Sequence, residues 1–210
     1  MKGIGSRFLV GSLSLTFFQG CMDTVYKPEA FLSEYQKRFA TVSEQGGYRF
    51  VTFFAIPDFL AAKRFRSQEK IPVEKYLDLK GTLSNSLYVS LSLGPDSKAV
   101  AGGSDGNLLN VEAVKGRGAF SDRLNLFQNG MAAYCFLRLS SGENIPVSTY
   151  SFDRGWASQS PVSFLFVFPK IWNGKSVSLD GAKFVVKEFG LNIGNLEQPL
   201  KAPTGMKLKV

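Results

Sequence analysis

The chain has 210 residues, with 25 Lys+Arg against 17 Asp+Glu, two Cys and no His, for a formal charge of +8. Without His, sites built on Ser-His-Asp or Cys-His and His-bound zinc are excluded, because the one side chain that ordinarily changes charge near neutral pH is missing. A hydrophobic fraction of 44% with 20% charged residues argues against a disordered chain and fits one domain with a buried core. Carboxylate- or Lys-based chemistry stays open.

The chain begins with what reads as an address. Lys2 and Arg7 make a short positive region, and Phe8–Phe18 follows as an apolar run with only Ser and Thr as polar members. The run is shorter than the roughly 20 apolar residues a membrane span needs and has the length of a signal-peptide core. Gly20 is the small residue required before a cleavage site, and Cys21 carries a thiol that can take a lipid. In this order the residues resemble the bacterial lipoprotein signal peptide and its lipobox. Phe18 and Gln19 stand where the usual box has Leu and a small residue, which makes this a relaxed form similar to that of spirochaete lipoproteins. The resemblance implies cleavage between Gly20 and Cys21, a diacylglyceryl group on Cys21, and a lipid-anchored place in the cell envelope. Met22, rather than the Asp that retains some lipoproteins at the inner membrane, directs the expectation to the outer membrane. Removing residues 1–20 takes Lys2 and Arg7 and no acid, so the mature charge is 8 − 2 = +6. Were the signal not used, a Cys21–Cys135 disulfide is the alternative; with Cys21 acylated, Cys135 is a buried thiol on an apolar strand face.

After the signal, 27–45 reads as a helix. Pro28 and Glu29 suit a first turn, Phe31, Leu32, Tyr35, Phe39 and Val42 recur at helical spacing, and Gly46-Gly47 ends it. A second short helix is expected from about Asp58 to Arg66. Tyr48–Ile56, stopped by Pro57, is aromatic and β-branched like a strand. Leu87–Leu93 alternates, with Leu87, Val89, Leu91 and Leu93 inward and Tyr88, Ser90 and Ser92 outward. Pro95–Gly118, rich in Gly, Ser and Asp, reads as a long loop. Ala132–Leu139 and Ile145–Phe152 read as a hairpin across a Gly-containing connection. Val162–Phe168 is apolar on both faces, as an interior strand would be. Ala182–Phe189 and a short Leu191–Ile193 follow turn signals at Asn173-Gly174 and Asp180-Gly181. Residues 198–210 read as a flexible basic tail. The expected fold is mainly β: an antiparallel β-sandwich with an N-terminal helix, in a single domain over 21–197. Ile145-Pro146, Phe166-Val167-Phe168-Pro169 and Phe189–Gly194 are loosely similar to segments of small spirochaete lipoproteins, a resemblance that implies no activity.

Candidate sites are few. Gly103–Asn107 has one Asp, too few oxygens for calcium, and reads as a turn. Gly116-Arg117-Gly118 lacks the Lys-Ser/Thr of a phosphate loop. Lys63, Arg64 and Arg66, interleaved with Phe59 and Phe65, are candidate contacts for a polyanion or an anionic headgroup, a solvated face being the plainer reading. Asp153, Arg154 and Trp156 are a candidate ligand cleft, with Trp156 stacking on a sugar; a turn ion pair with Trp156 over the core is the plainer reading. No metal, cofactor or nucleic-acid partner is expected. The functional expectation is a non-enzymatic envelope protein that binds another protein or a surface polymer. The alternative is a carbohydrate-binding or carbohydrate-processing protein, marked by a concave aromatic groove with two facing acids.

Overall fold

The computed structural model describes residues 24–68, 70–96, 98, 108–109, 115–154 and 161–210; Gly20, Cys21, Gly103–Asn107 and Trp156 lie outside them. Chain order begins with β1 (Thr24–Tyr26), α1 (Pro28–Phe39), β2 (Thr41–Gln45), β3 (Tyr48–Phe54), α2 (Pro57–Arg64), α3 (Val73–Leu83) and β4 (Ser86–Pro95). It continues through α4 (Arg117–Asn125), β5 (Cys135–Arg138), β6 (Asn144–Pro146), β7 (Thr149–Asp153) and β8 (Val162–Pro169). Two short strands, β9 (Ile171–Trp172) and β10 (Lys175–Ser176), precede β11 (Lys183–Val186), β12 (Leu196–Pro199) and β13 (Met206–Leu208).

Two large sheets hold the fold. One has five strands in the order β2-β3-β4-β8-β7, the other four in the order β12-β11-β5-β6. All their pairings are antiparallel, and neither sheet closes into a barrel. The chain is therefore mainly β, as its sequence suggests. The two sheets share one core. Phe164, Phe166 and Phe168, at alternate positions on β8, are 0–1% exposed, and the ring of Phe166 lies 5.3 Å from that of Phe184 on the smaller sheet. Cys135 is buried in the same core, where burial pushes its thiol pKa up and keeps it protonated.

The other face of the five-stranded sheet carries the helices. Phe31 and Tyr35 of α1, Phe59 of α2, Tyr76 of α3, and Phe53 and Tyr88 of the sheet form a second core cluster. Tyr35 donates its hydroxyl to the carbonyl of Phe54 at 2.5 Å; burial pushes its phenol pKa up. The molecule is thus layered: helices, five-stranded sheet, four-stranded sheet.

Several segments differ from the sequence expectation, each for a physical reason. The helix expected over 27–45 stops at Phe39, Ala40 is extended, and Thr41–Gln45 is β2. Gly46 and Gly47 do not stop a helix: both have positive φ and make the two-residue turn of a β2–β3 hairpin. Val42, which extended the helical stripe, is 50% exposed on that edge strand. Ile145–Phe152 is two strands in different sheets: β6 pairs with β5 and β7 with β8. The chain changes sheets across Pro146-Val147-Ser148, where Pro has no N–H to continue a ladder. Leu191–Ile193 is a loop, not a strand, because Glu188 takes its amides. The oxygens of that carboxylate accept hydrogen bonds from the N–H groups of Gly190, Leu191, Asn192, Ile193 and Gly194 at 2.6–3.0 Å. The expected tail over 198–210 includes the end of β12 and all of β13, and β13 pairs in parallel with β1. Leu200 and Leu208 are buried, which fixes a segment whose lysines suggest a free end. Two helices were not anticipated. The stripe of α3 is blurred by exposed Val73 and Leu77, and α4, with no fully buried residue, begins inside the Gly-rich stretch.

Candidate functional site

Strand β4 pairs with β8 so that Ser92 lies opposite Ser163 and Ser90 opposite Leu165. Residues paired this way project to the same face, and here that face is the one under the helices. Alternation alone sends Tyr88, Ser90 and Ser92 to solvent. Because α1 and α2 pack over this face, Tyr88 enters the second core cluster, and Ser90, Ser92 and Ser163 are left half-buried at the bottom of a groove.

The groove has a volume of about 500 Å³. Its floor is the three serines with Phe53, and its walls are Leu32, Ser33 and Gln36 of α1 and Phe59 and Lys63 of α2. Glu29 and Arg66 line it too, joined by an ion pair of 2.7 Å. The Ser92 and Ser163 hydroxyls are 3.0 Å apart and hydrogen-bonded to each other. Phe53 and Phe59 are 2% and 5% exposed, so they offer little ring surface to a ligand. Lys63 makes no ion pair or hydrogen bond within the described residues. Its ammonium is therefore the uncommitted charge of the groove.

The structure divides the basic cluster. Lys63 and Arg66 line the serine groove, while Arg64 lines a separate cleft between α2 and α3 with Lys75 and Asp78. Consecutive helical residues point about 100° apart, so a run of cations on one helix rarely makes one patch. Asp153 is the cross-strand partner of Ser163, which puts it one strand beyond the groove floor on the same face. Asp153 and Arg154 both have interaction partners. The stacking role considered for Trp156 falls outside the described residues. The serines and Gln36 escaped sequence reasoning because small polar residues alternating with Leu and Val are the ordinary signature of a solvated face. The available signal was Tyr88, a large aromatic on that same supposedly wet side.

Three further features complete the polar surface. Lys27, Lys70 and Lys209 line a pocket at the end of the β1–β13 ribbon. Arg138 and Lys183 both contact the carboxylate of Glu197 on the four-stranded sheet. The Glu188 clasp is structural: burial opposes the charge, but the ring of backbone N–H donors outweighs it and holds the carboxyl at about 2. Among the described residues no group of three or more His, Cys, Asp or Glu is arranged to hold a metal, and no helix is long and apolar enough to cross a membrane.

No protein-family model matches the chain, and no curated protein matches it. Among solved structures it is similar to a protein of unknown function from Burkholderia pseudomallei, at 11% identity and a TM-score of 0.38, over 86% of this chain and 92% of that one. A likeness of that size carries no argument about function.

Proposed function

We propose that the chain is a lipid-anchored protein of a bacterial cell envelope whose domain, a β-sandwich backed by helices, binds a surface polymer in the serine groove and does no chemistry on it. The observation that carries the binding role is the groove itself: a concave, half-enclosed trough with hydroxyls along its floor and an amide on its wall. A trough accepts a segment of chain, whereas a flat basic face would suit a protein partner. Grip by hydrogen bonding fits better than grip by stacking, because both rings in the groove are almost wholly covered.

The sandwich reading is supported by the core shared between the sheets and by how their margins meet. Edge strand β2 is tied to the β12 side by Thr41 donating to the Pro199 carbonyl at 2.8 Å and Gln198 donating to the Ser43 hydroxyl at 2.6 Å. On the other margin the chain itself crosses between sheets. The anchor reading rests on Lys2, Arg7, Phe8–Phe18 and Gly20-Cys21. It is supported by β1 beginning at Thr24, only three residues after Cys21, a tether of roughly 10 Å when extended. Lys27, Lys70 and Lys209 then lie close enough to meet anionic headgroups.

Two measurements test this reading. Cys21→Ser is expected to remove lipid mass from the N-terminus and to move the protein out of the Triton X-114 detergent phase; unchanged partitioning refutes the anchor. Ser92→Trp fills the groove, and is expected to abolish retention on immobilised envelope polysaccharide while the circular dichroism stays β-rich. Full retention by that variant refutes the groove as the binding site.

A further inference from the structure

We infer that the groove is built for a hydroxyl-rich ring bearing a single anionic group, a carboxylate or a phosphate, with the anion at Lys63 and the ring hydroxyls over Ser90, Ser92 and Ser163. This rests on the groove being the binding site and goes on to name what it selects.

The charges in the groove make the argument. Arg66 and Glu29 neutralise each other across 2.7 Å, so their joint contribution to the field is small. Lys63 remains, an ammonium with no partner among the described residues, and the groove is left at a net +1. One uncommitted positive charge offers a direct ion pair to one anionic group, and further anions on the same ligand find no second free cation among the lining residues of the groove.

The floor supplies the second half. A serine hydroxyl is one donor and two acceptors, which matches the hydroxyl of a sugar and can rotate to suit it. The bond between Ser92 and Ser163 occupies one of their two protons and leaves the other free to donate. Gln36 on the opposing wall adds donors and an acceptor. Neutral sugars are usually gripped through an exposed ring face, and Phe53 and Phe59 at 2% and 5% exposure offer none. The affinity lost with stacking has to come from the charge, so a neutral ligand of the same shape binds weakly.

The test uses the full chain in detergent and three disaccharides of one backbone, titrated by calorimetry: one with a single glucuronate, its methyl ester, and one with a 6-phosphate in place of the carboxylate. At least one anionic disaccharide is expected to bind ten times more tightly than the ester, and which of the two it is identifies the source of the charge. Lys63→Met is expected to erase that tenfold preference and leave the ester unchanged. Ser92→Val combined with Ser163→Val is expected to weaken all three ligands together. Lys75→Met, which removes a cation from the neighbouring cleft, is expected to change nothing. Equal binding of acid and ester, both lost in the double Val variant, overturns the anion assignment and leaves the groove as the binding site. A loss in Lys75→Met equal to that in Lys63→Met overturns it as well, since general charge then explains the preference. No binding of any disaccharide overturns both the anion assignment and the polymer-binding reading beneath it.

Discussion

The five-stranded sheet has two faces made by the same strands, and they are not alike. Against the four-stranded sheet, β4 and β8 present Leu87, Val89, Leu91, Leu93, Phe164, Phe166 and Phe168, all buried. Against the helices, the same strands present Tyr88, then Ser90, Ser92 and Ser163, with Leu165 and Val167 partly covered. A sheet covers its opposing sheet along its full length, whereas a pair of helices covers only the width of their own side chains. Where that cover ends, the sheet must be polar yet is no longer fully wet. A groove is what remains between the covered and the uncovered part.

The largest effect expected of this asymmetry is on stability. Phe166→Ala removes a ring packed on Phe164, Tyr150 and Phe184 and should cost about 3–5 kcal/mol, read as a fall in the urea midpoint. A loss below 1 kcal/mol means that the inter-sheet core collapses around the hole, and the contrast between the faces dissolves. Next comes the clasp that holds Phe189, Leu191 and Ile193 against that same core. Glu188→Gln should cost about 1–3 kcal/mol, because a charged acceptor is replaced by one that satisfies the amides less well. The acid response fixes the sign. Burial raises the Glu188 pKa but the backbone N–H bonds outweigh it, so the folded value falls from 4.5 to about 2. The stabilisation is complete above about pH 4.5 and drains away as pH falls toward 2. Acid titration of the wild type should show that loss, and the Gln variant should lack it.

On the helical face the effects are smaller. Tyr35→Phe leaves the Phe54 carbonyl without its donor and should cost about 1 kcal/mol, measurable by thermal melting. Ser92→Val should cost no more than about 1 kcal/mol, the net worth of its hydrogen bond to Ser163, since a strand position tolerates a β-branched residue, while ligand binding falls. If Ser92→Val destabilises as much as Phe166→Ala does, the serine face is structural and the groove has no separate purpose.

The dry face was legible in the sequence. The alternation of β4 and the double-sided apolarity of β8 both follow from residue type alone, and so does burial of the three phenylalanines. The helical face was not, because its meaning depends on what lies above it. Ser90 and Ser92 have the pattern of a solvated strand, and only the packing of α1 and α2 turns them into a floor. Boundaries failed where one residue serves two descriptions. Gly46-Gly47 ends a helix or turns a hairpin, and only the pairing of Gln45 with Tyr48 decides. The Leu191–Ile193 segment failed differently: its apolar residues are buried as a strand's would be, but its amides go to one carboxylate, which residue type does not foretell.

The ribbon of β1 and β13 has a mechanical consequence. With Thr24 beside Met206 and Tyr26 beside Leu208, a pull on Thr24 directed along the strand loads the hydrogen bonds of the ribbon together, in shear, instead of unzipping them one at a time. One residue, Lys27, separates β1 from α1. Once that ribbon gives way, a load applied at Thr24 is next borne by α1, the helix that forms a wall of the groove.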